Sequence, residues 1–372
     1  MQQNDVRNRR GRSARDCARL RGRDARLLRI AIVEVKELQD ILCEFRRVVS
    51  ESGNAKKMAL ATLVRSRGSS YRRPGARMLI VENGFAVGAL SGGCLEEEIV
   101  RRALEVMRCD KSCLFTLDTR LRFGCNGAID IFIEPIDAKN EFLAAVARCI
   151  ETRQPFVAAT AFGKPDEARL GTFVIDENDA FFSECENETA SVFIQKIEPP
   201  IQLVIAGDGP ENAALKSFAS ILGWRVLETE NVSENLAQIA FDSRTAALVK
   251  THSYGRDFAF LKKLLPMRLR YVGLVGPKKR REQLLNDLID GGFVSAADEL
   301  CGAFAGFHAP AGLDLSAESP EQIALSIVAE IQAVFAGGSC VSLRNRRSPI
   351  HERRDAARAH CETRMVRCVN VS

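Results

Sequence analysis

The sequence predicts an α/β chain in two parts, an N-terminal α+β domain followed by a doubly wound parallel-sheet domain, and three observations carry that expectation. Residues 34–198 mix amphipathic helices, short strands and a hairpin signal without a fixed alternation. Pro199-Pro200 then interrupts the chain, and consecutive prolines suit an extended link better than any regular element. Beyond them, short continuous apolar runs alternate with helical segments, as in a parallel sheet with crossover helices. The expected boundaries are 34–198 and 199–340, and 372 residues suffice for two domains of roughly 100–200 residues each.

Taken in order, residues 1–33 read as an Arg-rich disordered extension, with ten Arg against three Asp in residues 1–30. The segment lacks the apolar centre of roughly 7–15 residues that a secretory signal needs, so an unstructured arm, or a start upstream of the true one, is expected. Residues 34–52 place Val35, Leu38, Ile41, Leu42, Phe45, Val48 and Val49 at helical spacing. Met58–Val64 reads as a strand, Arg65–Gly75 as a polar loop, and Glu82-Asn83-Gly84 as the turn of a hairpin between 77–81 and 85–90. A helix follows Gly93. Strands at 114–117 and 128–133, a helix near 139–151, and strands near 156–161, 171–175 and 191–197 complete this half.

In the second half, strands are expected at 201–206, 225–228, 246–250 and 271–275, with helices at 210–222, 256–265 and 278–290. The last helix has an explicit start in Ser319 as N-cap, Pro320 at the first position and Gln322 closing a capping box, and Gly337-Gly338 ends it. Residues 341–372 read as a basic tail.

The net charge of +5 is concentrated at the ends, since residues 344–372 add eight Arg against three acids and leave the middle of the chain acidic. The folded part is therefore not expected to bind nucleic acid. No run reaches the roughly 18 apolar residues of a membrane span. Twelve cysteines at irregular spacings, with no CxxC pair, read as reduced thiols in a cytoplasmic protein.

Three turns could carry chemistry. Ser91-Gly92-Gly93-Cys94-Leu95-Glu96 sets a thiol beside two glycines on what reads as the first turn of a helix. Converging backbone N–H groups and the helix N-terminus both favour thiolate, the form that binds soft metals and handles sulfur. The same residues also read as a plain strand-to-helix turn with Cys94 packed as a small apolar side chain. Gly207-Asp208-Gly209-Pro210-Glu211-Asn212 follows an apolar strand and opens a helix, the setting of a Rossmann dinucleotide turn, with Glu230 about twenty residues on for ribose hydroxyls. Asn212 at the third glycine position and Glu228 within the second strand depart from that pattern. Finally, His252 and the Gly276-Pro277-Lys278 turn follow predicted strands, at the sheet edge where such folds bind ligands. His252 reads either as a capping histidine or as a general base, and Lys278 as a phosphate ligand or a solvated helix start.

These residues carry a family resemblance. ATLVRSRGSSYRRPGARM (61–78), SGGCLEEEIV (91–100), GCNGAIDIFIEP (124–135), LVIAGDGP (203–210), THSYGRDF (251–258), YVGLVGPKKRREQLL (271–285) and HAPAGLDLSAESPEQIALSIVAEIQA (308–333) resemble the XdhC/CoxI family over about residues 35–351. That family comprises accessory factors of xanthine dehydrogenase and related molybdenum hydroxylases. The resemblance implies a carrier, without turnover of its own, that binds the molybdenum cofactor, receives sulfur from a cysteine desulfurase and delivers its cargo to the hydroxylase, and a homodimer is expected. It places the cysteine turns on Cys94 and Cys125, as contacts to molybdenum or sulfur, and the arginine-rich loop on Arg65, Arg72, Arg73 and Arg77. The Rossmann turn falls on Gly207 and Gly209. Arg122 stands where a glycine is usual, and segment 118–123 is short. The rival reading is an NAD(P)-dependent oxidoreductase acting on a small carbonyl, with His252 as acid/base.

Overall fold

The computed structural model describes residues 28–32, 35–52, 56–68, 70–93, 95–118, 127–163, 170–175, 191–230, 236–294 and 305–345. Cys94 and Cys125 lie outside them, as do residues 1–27 and 346–372. The chain divides into two compact units, Met1–Leu203 with Ala219–Leu227, and Val204–Phe218 with Glu228–Ser372.

The first unit is built on an antiparallel sheet of β2 (Met58–Gly68), β3 (Arg77–Val81), β4 (Ala86–Gly88), β5 (Cys113–Asp118) and β6 (Gly127–Ile136), in the order β4-β3-β2-β6-β5. Alternation along β2 gives the sheet two apolar faces. Ala59, Ala61 and Leu63 join Met78, Ile80, Ile129, Ile131 and Ile133 beneath helix α2 (Glu96–Cys109), which contributes Ile99, Ala103 and Val106. Met58 and Leu60 join Leu79, Val81 and Ile136 on the other face, against helices α1 (Val35–Ser52) and α3 (Glu141–Thr152). The spacing of Leu38, Ile41, Phe45 and Val48 is thus spent on one core, where each such side chain contributes about 2 kcal/mol.

A second sheet, β1-β9-β7-β8, comprises β1 (Leu28–Ile32), β7 (Phe156–Phe162), β8 (Gly171–Ile175) and β9 (Ser191–Ile197). Val64, Phe132, Phe162 and Phe193 lock it to the first. The Asn83-Gly84 hairpin forms as expected, with Gly84 at φ +83° and Asn83 Oδ1 accepting the Phe85 N–H at 3.0 Å. Three expectations are corrected. Residues 28–32, read as part of the disordered arm, are a strand paired parallel to β9. Strand β2 runs through Gly68, into what read as loop, because Arg65, Ser66 and Arg67 continue the pairing with β6. Helix α2 begins at Glu96, after Cys94 rather than over it.

The other sheet has strands β10 (Gln202–Ala206), β11 (Arg225–Thr229), β12 (Thr245–Val249), β13 (Tyr271–Leu274) and β14 (Phe307–His308), in the order β11-β10-β12-β13-β14. Arg225 N bonds Ile201 O and Gly207 N bonds Thr229 O, start to start and end to end, so β10 and β11 are parallel, as are β12, β13 and β14. Helices α5 (Tyr254–Leu264) and α6 (Lys278–Asp290) cover one face through Phe260, Leu261, Leu284 and Leu288. Helix α7 (Pro320–Ala336) reaches the opposite face, where the Tyr271 hydroxyl donates to Glu330 at 2.8 Å. Helix α4 (Glu211–Ile221) links β10 to β11. Counted along the chain the strand order is 2-1-3-4-5, a doubly wound sheet whose order reverses between β10 and β12. The predicted capping box on α7 is present, and Gly337 ends that helix at φ +65°.

Candidate functional site

In the first unit the register brings the predicted features to one end of a sheet. Gly68 pairs with Gly127 and Asp118 with Ala128, while β4 runs from its pairing with Ile80 toward Met78. The turns that leave β2 at Gly68 and β4 at Gly88 therefore lie at the same end of the sheet as the strand ends Asp118 and Gly127, away from Met58. Glu37, on α1, joins the two turns. Its carboxylate accepts the Arg72 guanidinium at 2.5 Å and the Ala89 N–H at 3.0 Å. Burial pushes the Glu37 carboxyl above the usual carboxylate range, against the pull of Arg72.

Within the 91–95 turn the N–H groups of Ser91, Gly93 and Leu95 are already engaged. Ser91, buried, accepts the N–H of Gly93 at 3.2 Å and of Leu95 at 3.3 Å. Glu96 in turn accepts the Ser91 hydroxyl at 2.7 Å and the N–H groups of Ser91 and Leu95 at 3.1 Å. Burial raises the Glu96 pKa, but these hydrogen bonds outweigh it and hold the carboxyl below its ordinary value. The chain's own carboxylate thus fills much of the nest predicted for a foreign anion. What remains open is the outer face. Gly92 and Gly93 are exposed, and Gly93 sits at φ +103° with open space where a Cβ would be. The Tyr71 ring, 68% exposed, lies against Gly92.

The four predicted arginines part company. Arg73 is exposed, and Arg72 is held by Glu37. Arg65 is pinned to Asp130 at 3.5 Å and to Ser191 at 3.3 Å, and lies over the Phe162 ring. Arg77 is core: 1% exposed on β3, it stacks on Phe142 and donates to Gly75 O and Gln195. Burial lowers its pKa to about 10, with Glu134 and Glu37 opposing. The loop at 65–77 therefore offers Tyr71 and Arg73 outward, not four arginines.

In the second unit, Gly207 closes on β12. A side chain there would meet Lys250 O at 2.7 Å, and φ is +112°, so only glycine fits. The Asn212 side chain replaces the small residue of a Rossmann turn by bridging Gly207 O at 3.2 Å and Glu228 at 2.9 Å, and Glu228 also holds Lys216 at 3.0 Å. Beneath the turn lies Lys250, which sequence reading passed over as the end of a strand. Its ammonium donates to Asn212 Oδ1 at 2.7 Å and Asp208 O at 3.1 Å and pairs with Glu211 at 3.1 Å.

Glu230 is exposed beyond β11, and its carbonyl accepts Arg256. His252 is exposed at φ +57°. Lys278 is exposed at the start of α6, next to the Gly276 turn, while the following Arg280 bonds Asp257, which also accepts the Thr251 hydroxyl at 2.6 Å. Sequence reading also missed His308, stacked on Tyr271 with its Nδ1 at 3.3 Å from Glu330 and its Nε2 buried. Among the described residues no cluster of His, Cys, Asp and Glu side chains could hold a metal ion, and no helix is long and apolar enough to cross a membrane.

A doubly wound domain with a glycine turn at its switch point, joined to an α+β unit with a Ser-Gly-Gly turn, defines a two-part α/β protein of Rossmann type. The chain belongs to the XdhC and CoxI family: the model of that family matches residues 53–118, and the XdhC Rossmann domain matches 203–331. It is 29% identical over 323 residues to a probable xanthine dehydrogenase component of Bacillus subtilis, covering 74% of this chain and 92% of that protein. It is 25% identical over 300 residues to the molybdenum cofactor insertion chaperone PaoD of Escherichia coli, covering 76% and 84%. A crystal structure described as a xanthine dehydrogenase from Bacillus halodurans superposes with a TM-score of 0.65 at 25% identity, covering 82% of this chain and 98% of that one.

Proposed function

We propose that this chain carries the molybdenum cofactor, holding it while a cysteine desulfurase supplies the terminal sulfido ligand and then delivering it to a hydroxylase of the xanthine dehydrogenase type. The observation that supports this most is the exposed surface where the Tyr71 ring lies against Gly92, with Gly93 open and Arg73 exposed two residues along the chain, within the family-matched segment. A pterin is flat and can lie on an aromatic ring, its phosphate can meet an arginine, and the open glycines admit it closely. The relative named as an insertion chaperone points the same way. Cys94 and Cys125 take the thiolate role, and the chain works as a cytoplasmic homodimer. The five cysteines among the described residues are unpaired, as a reducing compartment requires.

The test is to produce the protein in cells that make the cofactor and to measure bound pterin by fluorescence after oxidation. Wild type should retain pterin, Tyr71→Ala and Cys94→Ser should retain several-fold less while staying folded, and cargo should protect Cys94 from iodoacetamide. Absence of pterin, or saturable nicotinamide oxidation or reduction by the pure protein, would sink this reading, the latter in favour of the oxidoreductase.

A further inference from the structure

The doubly wound domain carries the outward signature of a dinucleotide site, and its interior argues against one. In such a turn the second glycine lacks a side chain so that the ligand's pyrophosphate can approach the backbone, and the helix N-terminus supplies N–H donors. Here the space beside the second glycine, Gly209, is taken. A Cβ at Gly209 would fall 2.5 Å from Lys250 Nζ and 2.8 Å from Glu211 Oε2. The Lys250 side chain is 0% exposed, and its ammonium donates to Asp208 O and Asn212 Oδ1 and forms an ion pair with Glu211 at 3.1 Å. The first turn of α4 already holds the Glu211 carboxylate, the charge its dipole favours. The Gly209 N–H is spent on the Asp208 carboxylate at 2.7 Å. A phosphate arriving here would meet two carboxylates and an ammonium that is already neutralised.

We propose that Lys250, Glu211 and Asn212 form a buried lock that occupies the pyrophosphate position and excludes dinucleotides from this domain. The lock is independent of what the first unit carries, since every residue in it belongs to the second. Asn212 at the third glycine position fits the same arrangement: a small residue there would leave Lys250 short of an acceptor and Glu228 without the Asn212 amide.

The experiment is a one-to-one titration with NADPH, followed by nicotinamide fluorescence at about 0.15 M salt, where the arginine-rich termini are well screened. Wild type should show no saturation up to about 1 mM. Glu211→Ala frees Lys250 for a phosphate and should bring binding into the measurable range, at least about tenfold tighter than wild type, with inorganic pyrophosphate competing. Glu211→Gln keeps the side chain's size and removes its charge, and stands in should the alanine variant not fold. Saturable one-to-one binding by wild type overturns the proposal, as does the failure of every folded Glu211 variant to gain affinity. Neither result bears on pterin retention, so the lock and the carrier reading fail separately.

Discussion

Residues of the same type, a few positions apart in one predicted loop, perform different work because their surroundings differ. Arg73→Gln should change stability by less than about 0.5 kcal/mol, as an exposed substitution does. Arg72→Gln should cost about 1–2 kcal/mol, since it leaves the half-buried Glu37 carboxylate with only the Ala89 N–H. Arg77→Ala should cost roughly 3 kcal/mol or more, because it strips a fully buried layer of its cation, its stack on Phe142 and its bond to Gln195. Denaturant titration of the three variants ranks them, and an equal effect from all three would refute the assignment. Glu96 supplies a pH signature. Its carboxyl titrates lower in the folded protein than the ordinary value of 4.5. The stability it adds is present above that value and lost as pH falls through it toward the folded pKa. Glu96→Gln should therefore flatten the acid limb of the Tm profile as pH falls below the ordinary carboxylate value of 4.5. An unchanged slope would mean the turn does not depend on that charge.

At the scale of elements, the sequence was readable where local chemistry and tertiary packing agree. Helix α7 begins where Ser319, Pro320 and Gln322 said it would, and Ser319→Ala should cost about 1 kcal/mol by removing the acceptor of the Gln322 N–H. A Tm indistinguishable from wild type would show that the cap is redundant there. The hairpin at Asn83-Gly84 was legible for the same reason. Strand β2 was read short because Arg65-Ser66-Arg67-Gly68 has no apolar period, and it stays extended through Asp130, which gathers Arg65, Arg67 and Thr116 from neighbouring strands. No local pattern announces such a partner. Glu96 escaped notice as the filler of its own turn because it lies five residues from Ser91, outside the spacing of a capping box. Lys250 was legible in principle: a lysine closing an apolar strand requires an acceptor, and Asn212, which supplies one, already stood out at the third glycine position.

For the whole molecule, ligand linkage separates the readings without any assumption about which thiol is involved. A cargo at a hundred times its Kd should stabilise the native protein by about 2.7 kcal/mol, and NADPH at millimolar concentration should leave Tm unmoved. A shift with NADPH and none with molybdopterin would reverse the functional reading. The placement of β1 bears on how the chain is made. β1 lies parallel beside β9, with nearly the whole first unit between them in sequence. Parallel neighbours cannot be joined by a hairpin, so this edge of the sheet has no local route to closure. During synthesis β7 and β8 emerge with one flank unpaired, and β1 waits for a partner until residue 197 has left the ribosome. A nascent chain stalled or cleaved before residue 191 would expose a bare strand edge to its neighbours, and aggregation on the polysome would be the expected fate of such fragments.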